Sequence, residues 1–302
     1  MHKTVKPKAL PAGGTIGIVA PAGAVDQNKL EEGIGWLLKQ GYQVKPGRYL
    51  TARSGYLAGT DRERAADVMS MFLNKRVDAI ICARGGYGCM RILPLLDFNL
   101  IRKWPKIFVG YSDVTAIHAA LQRVGVVSFH GPMVAANVGA AEYSWQALRQ
   151  VVEEKSKAWF VGDFLHDGQA EGRLVGGNLS IITSLMGTPY ELSFKGVILC
   201  IEEVAEASYR IDRMLTQLLL SGKLQQLAGL VIGDFENCEQ DRGASVFTVP
   251  EVMAERLSGL GIPVLTGLHF GHGRENITLP LGVKACISSK EGGLKLLDCP
   301  VI

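Results

Sequence analysis

The stretch from Lys106 to His118, KIFVGYSDVTAIH, constrains this chain more than any other. Ile107 to Val109 is a short apolar run that reads as a buried strand. Gly110 interrupts it, and Ala116, Ile117, Ala119, Ala120 and Leu121 then carry helical spacing. Ser112 therefore falls at a strand-to-helix turn, at the carboxyl end of a sheet. Backbone N–H groups and the positive end of a helix dipole lie close by. A carbonyl attacked there would find donors for the oxyanion that forms. The turn resembles a nucleophile elbow, with Val114 in place of the second glycine. Ser112 thus has two readings, a nucleophile or a helix N-cap.

The residues before and after this turn repeat the same alternation. Thr15–Ala20, Tyr42–Val44, Val77–Cys82, Lys106–Val109 and Val126–Phe129 read as strands. Between them, Leu30, Ile34, Leu37 and Leu38 form one helical face, and Ala65, Val68, Met69 and Phe72 form another. A last helix covers about Ser144 to Glu154. This order predicts an α/β N-terminal domain, residues 1–155, with a parallel, flavodoxin- or Rossmann-like sheet. The turns Pro21–Gly23, Gly85–Gly88, Tyr111–Ser112 and His130–Pro132 all fall at carboxyl ends of strands, where such sheets bind ligands.

Residues 156–170 read as a linker. From 171 to 302 the pattern is mixed. Val197–Ile201 and Leu227–Ile232 are strands, Tyr209–Leu220 and Val249–Leu260 are helices, and Gly282–Leu297 alternates like antiparallel strands. The expectation is a smaller, β-rich α+β domain. A net charge of +3 with scattered basic residues argues against nucleic acid as a partner. The first residues lack the apolar core of a signal peptide, and no run of roughly 18 apolar residues suggests a membrane span. The 6 cysteines are widely spaced with no CxxC pair, as expected for reduced thiols in a cytoplasm.

Several chemistries lack their motifs. G-x-G-x-x-G, the phosphate loop, HExxH and S-x-x-K do not occur. His269 and His272 are three apart, but no third metal ligand stands nearby. What remains is a serine with a histidine and an acid. Among the histidines, His2 lies in a tail, His118 points to another face of the helix after Ser112, and His166 falls in the linker. His130, at a strand end, and His272, bracketed by Gly271 and Gly273, both stay open as the base. Glu202, Glu203 and Asp234 all sit at strand ends, and spacing does not choose among them.

Several motifs occur together in a fixed order. They are Ala20-Pro21-Ala22-Gly23, Arg84-Gly85-Gly86-Tyr87-Gly88, Gly110-Tyr111-Ser112-Asp113, His130-Gly131-Pro132-Met133, Gly176-Gly177-Asn178-Leu179, Glu202-Glu203, Tyr209-Arg210-Ile211-Asp212-Arg213 and Phe270-Gly271-His272-Gly273 with Leu279-Pro280-Leu281-Gly282. Taken together the chain resembles the LD-carboxypeptidase family of serine peptidases, which includes muramoyltetrapeptide carboxypeptidase and the microcin C self-immunity proteins. The resemblance covers nearly the whole length. It implies Ser112 as nucleophile, His272 as base and Glu202 as the acid that orients it, although many relatives carry Glu-Asp where this chain has Glu202-Glu203. It further implies an oxyanion hole from the backbone N–H groups of Gly86 and Asp113, no cofactor and no metal. The implied substrate is a murein tetrapeptide that loses its terminal D-alanine, and the implied assembly is a homodimer.

Arg84, Tyr87 and Arg210 are the candidate substrate contacts, the arginines for the substrate carboxylate. An alternative within the family is cleavage of acyl-sulfamoyl adenylates, which needs an aromatic platform such as Trp145 or Trp159. An alternative of another class is a non-catalytic small-molecule binding protein.

Overall fold

The computed structural model describes residues 3–136, 142–154, 157–238 and 247–302. The expected boundary at 155 and the first linker residue, 156, lie outside the described residues.

The first sheet has five parallel strands, β1 (Thr15–Val19), β2 (Gln43–Pro46), β3 (Ala79–Cys82), β4 (Ile107–Gly110) and β5 (Ser128–His130), in the order 2-1-3-4-5. This is the doubly wound flavodoxin order. Helices α1 (Gln27–Lys39), α2 (Asp61–Leu73), α3 (Cys89–Ile92), α4 (Phe98–Lys103), α5 (Thr115–Arg123) and α6 (Glu142–Val152) accompany it. Local chemistry starts the first two. The Asp26 carboxylate accepts from the Lys29 N–H, and Thr60 with Glu63 forms a reciprocal capping box.

The second sheet is mixed and eight-stranded. It uses β6 (Trp159–Val161), β7 (Asp163–His166), β8 (Gln169–Asn178), β9 (Val197–Val204), β10 (Gly229–Glu236), β11 (Val264–Thr266), β13 (Lys284–Ser288) and β14 (Gly293–Leu296). Helices α7 (Leu179–Ser184), α8 (Ser208–Leu220) and α9 (Val249–Leu257) belong to this half. β8 to β11 run parallel, while β13, β14, β6 and β7 are antiparallel additions.

Two expectations change here. Described residues 157–170 are not a linker but part of this sheet. β6 pairs with β14 and β7 with β11, so two strands separated only by Gly162 lie on opposite edges of the sheet. Phe160 and Phe164 turn inward to the core while Trp159, Val161 and Leu165 stay exposed. Strands of three and four residues are too short to show that alternation convincingly. Secondly, β12 (Leu279–Leu281) leaves its own half and pairs antiparallel with β5 of the first sheet. Pro280 is tolerated because β12 is an edge strand.

The two halves share buried side chains. Ile117 and Leu121 of α5 cluster with Leu179 and Ile182 of α7. Behind the Ser112 turn, the Asn178 N–H donates to Thr115 Oγ1 (3.0 Å).

Candidate active site

Ser112 follows β4 through Tyr111 and begins a short 3-10 turn, 112–114, that runs into α5. Its φ is +62°. A non-glycine residue held there costs of order 1–3 kcal/mol and persists only where neighbours fix it. Ser112 caps neither helical segment, since Tyr111 and Val114 hold the cap positions. It lines a cavity of about 1110 Å³ that His272, Arg84 and Gly86 also line.

The loop after β3 sits against this serine. A Cβ on Gly85 would lie 2.9 Å from Ser112 Oγ, so only glycine allows the approach. The Gly85 carbonyl accepts from the Gly23 N–H (3.1 Å). Across a trans peptide the Gly86 N–H then points away from Gly23. The Asp113 N–H belongs to the first turn of a helix, where donors have no partner within the helix.

His272 comes from the connection between β11 and β12, which is fixed at one end to the second sheet and at the other to the first. Its Nδ1 lies 2.6 Å from Glu202 Oε2. Glu202 is fully buried near the carboxyl end of central strand β9. Gly271, at φ +115°, permits the contact, since a Cβ there would stand 2.6 Å from that same oxygen. Burial raises the Glu202 carboxyl, but His130 and His272 beside it outweigh burial and hold it below its ordinary value. The Tyr111 ring meets His272 edge-on at 4.8 Å.

The alternatives left open by spacing separate cleanly. Glu203 points the other way and accepts from Asn178 Nδ2 (2.7 Å) and the Ser180 N–H (2.8 Å) at the start of α7. Asp234 holds the exposed His269 (3.1 Å), so the two histidines of this loop have different carboxylate partners. His118 is buried, with Nε2–H donating to the Gly110 carbonyl (2.8 Å) and Nδ1 accepting from Ser128 Oγ (2.9 Å). His130 is buried at the end of β5 and does not line the cavity. No group of three potential metal ligands forms among the described residues.

A sequence profile of the LD-carboxypeptidase N-terminal domain matches residues 16–131, and one of the C-terminal domain matches residues 171–287. The chain belongs to the LD-carboxypeptidase family. It is 42% identical over 295 residues to the probable murein peptide carboxypeptidase of Bacillus subtilis strain 168, covering 95% of this chain and 92% of that one. The solved muramoyltetrapeptide carboxypeptidase of Oxalobacter formigenes superposes with a TM-score of 0.85 at 35% identity, over 93% and 97% of the two chains. The microcin C7 self-immunity protein of Escherichia coli is 28% identical over 329 residues, 96% and 94% of the two chains. This member of the LD-carboxypeptidase family is therefore a hydrolase of the serine-carboxypeptidase type.

The remaining substrate candidates divide. Arg84 lines the cavity and donates to the Ala24 carbonyl (3.1 Å). Arg210 is not among the lining residues. It pairs with Glu206 one helical turn away (3.2 Å) and lies over the Tyr209 ring. Tyr87 is exposed against Tyr56, also off the lining. Neither expected adenine platform reaches the cavity: Trp145 is buried against Trp36 and Tyr42, and Trp159 stands on edge strand β6 under Lys295. Trp36 of α1 does line it.

Two residues that hold this LD-carboxypeptidase site together were not legible. The Asp113 side chain, buried beside Ser112, accepts from the Cys89 N–H (2.7 Å) and ties the glycine loop to the serine turn. Burial pushes its carboxyl up, against the pull of that donor. Arg64, buried on α2, donates to the carbonyls of Pro21 and Gly88 (2.9 Å for the latter) and to Asp61. It thereby joins the loops after β1 and β3.

Proposed function

We propose that this LD-carboxypeptidase removes the terminal D-alanine from murein tetrapeptides through an acyl-enzyme on Ser112, in peptidoglycan recycling in the cytoplasm. The observation that carries the reading is the 2.6 Å contact between His272 Nδ1 and the buried Glu202, in a loop that shares one cavity with Ser112. With Nδ1–H donated to Glu202, Nε2 is left free to take the Ser112 proton as Oγ attacks the carbonyl. The N–H groups of Gly86 and Asp113 hold the oxyanion. Losing one such donor typically costs about 3 kcal/mol. His272 then gives its proton to the departing D-alanine amine. Water, deprotonated by His272, attacks the ester and restores Ser112.

Arg84 is the candidate partner for the D-alanine carboxylate. A tetrapeptide amidated at that end should bind several-fold more weakly, and an unchanged Michaelis constant would remove Arg84 from this role. The murein substrate rests on the names of the relatives, and the six free cysteines suit a reducing compartment. A homodimer belongs to the same reading, and sedimentation equilibrium checks it. The self-immunity relative supports a second reading, cleavage of an acyl-sulfamoyl adenylate.

The test is mass spectrometry of L-Ala-D-Glu-diaminopimelate-D-Ala with chelator present, comparing wild type with Ser112→Ala. Loss of one alanine by wild type alone is the expected result. Cleavage by both proteins would remove Ser112 as nucleophile. Cleavage by neither, with turnover of the sulfamoyl adenylate, would favour the second reading.

A further inference from the structure

The Glu202 carboxylate has two oxygens, and the triad uses one. Oε2 takes His272, while Oε1 is buried with no hydrogen-bond partner among the described residues. Facing it at 3.8 Å is His130 Nε2. Both ring nitrogens of His130 are also buried and unpartnered among the described residues, and its side chain is 1% exposed. The ring is packed edge-on against Phe270 (5.5 Å) and tilted against Tyr111 (5.9 Å), the same tyrosine that meets His272. Its backbone is fixed on both sides, paired with Gly110 of β4 and Leu279 of β12.

An unpaired polar ring in such a place is destabilising. Phenylalanine would fill the same aromatic pocket without that cost. The imidazole is therefore unexplained by packing, and the buried acceptor that faces it without a partner among the described residues is Glu202 Oε1. The gap of 3.8 Å exceeds a hydrogen bond by roughly 0.8 Å. Hydrogen bonds that serve catalysis are often long in the free enzyme and tighten when substrate binds.

We propose that His130 is a positioning residue, donating from Nε2–H to Glu202 Oε1 so that the carboxylate keeps its charge and aims Oε2 at His272. This rests on the triad reading. Glu202 is then held from both ends, and cannot rotate or take up the proton when His272 becomes an imidazolium. The titratable groups around His130 are Glu202 on β9, His272 on the connection before β12, Tyr111 after β4 and His118 on α5. Glu203 and Asp234 add negative charge near the carboxylate. Without the His130 donor, the charge of Glu202 falls more fully on His272. The imidazolium is then favoured, and the acid limb of the rate profile moves to higher pH.

The experiment compares wild type, His130→Phe and His130→Gln with the tetrapeptide, measuring kcat, KM and the pH profile of kcat/KM. The Phe variant should lose about tenfold in kcat with KM nearly unchanged, and its acid limb should shift upward. Glutamine, which restores an N–H donor, should recover most of the rate. A second readout needs no turnover: the low-field proton resonance of the His272–Glu202 hydrogen bond should move in His130→Phe and return toward wild type in His130→Gln. A folded Phe variant within twofold of wild type, with an unmoved acid limb and resonance, would overturn the proposal. If His130→Phe does not fold, an unmoved resonance and rate in His130→Ala would overturn it instead. Activity that survives Ser112→Ala would instead mean that the triad reading itself had failed.

Discussion

At Ser112 the backbone is held where serine is uncomfortable and glycine is not, with φ at +62°. Ser112→Gly should therefore be more stable than Ser112→Ala, by about 1 kcal/mol, although both lack the hydroxyl. Denaturant unfolding of the two variants checks this, and an alanine variant that equals or exceeds the glycine one would contradict it. Gly271 carries the opposite constraint. A methyl group there meets Glu202 Oε2 at 2.6 Å, and φ is +115°. On the proposed triad, Gly271→Ala should lower kcat by about two orders of magnitude while leaving KM near wild type, because it pushes Glu202 away from His272. Steady-state kinetics decide it, and a loss confined to KM would mean that the displaced loop binds substrate. At this scale the strand-to-helix turn at Ser112 was legible, because Gly110 and the change of period around it mark it. Which of Glu202 and Glu203 meets His272 was open to spacing, and only the family resemblance pointed to Glu202. Adjacent strand residues face opposite ways, and which face is the site depends on the pairing of β9 with β8 and β10.

Elements converge on the site through residues that look like surface in the sequence. Arg64 sits within a helix rich in charged residues, yet it is buried and donates to two strand-end loops. Arg64→Met should cost about 3 kcal/mol in denaturant unfolding, because the Pro21 and Gly88 carbonyls lose their donor and Asp61 loses a partner. It should also lower kcat, since the Gly85–Gly88 loop would no longer be fixed against Ser112. A variant as stable and active as wild type would show that these loops hold themselves. The parallel strands of the first half, three to five residues long, and the amphipathic helices α1 and α2 were readable because strands and helices alternate there. The three-residue strands β6 and β12 were not, because each draws its identity from a distant partner, β14 and β5 respectively. Nothing local in Trp159–Val161 or Leu279–Leu281 says which sheet it joins.

The whole molecule is fastened across its two halves by the same strands that carry the chemistry. His118 bridges β4 and β5 through Gly110 and Ser128, and burial lowers its pKa to about 3. The unfolded chain takes up a proton near pH 6.5 that the folded chain refuses. Stability should therefore be complete above that value and fall by about 1.4 kcal/mol per unit below it, levelling near the folded pKa. His118→Gln should lose this part of the slope, so the stability difference between pH 7 and pH 5 should be about 2 kcal/mol larger in wild type. Equal slopes would place the titration elsewhere. His272 reaches Glu202 from a connection anchored to β11 in one sheet and β12 in the other, and Ser112 comes from the turn after β4. The account stands on those three side chains acting as one unit. The most direct measurement is kcat/KM for the tetrapeptide in Ser112→Ala, His272→Ala and the double variant. If the two act together, the double variant is no slower than the slower single variant. If the losses multiply, Ser112 and His272 work independently and the triad account is wrong.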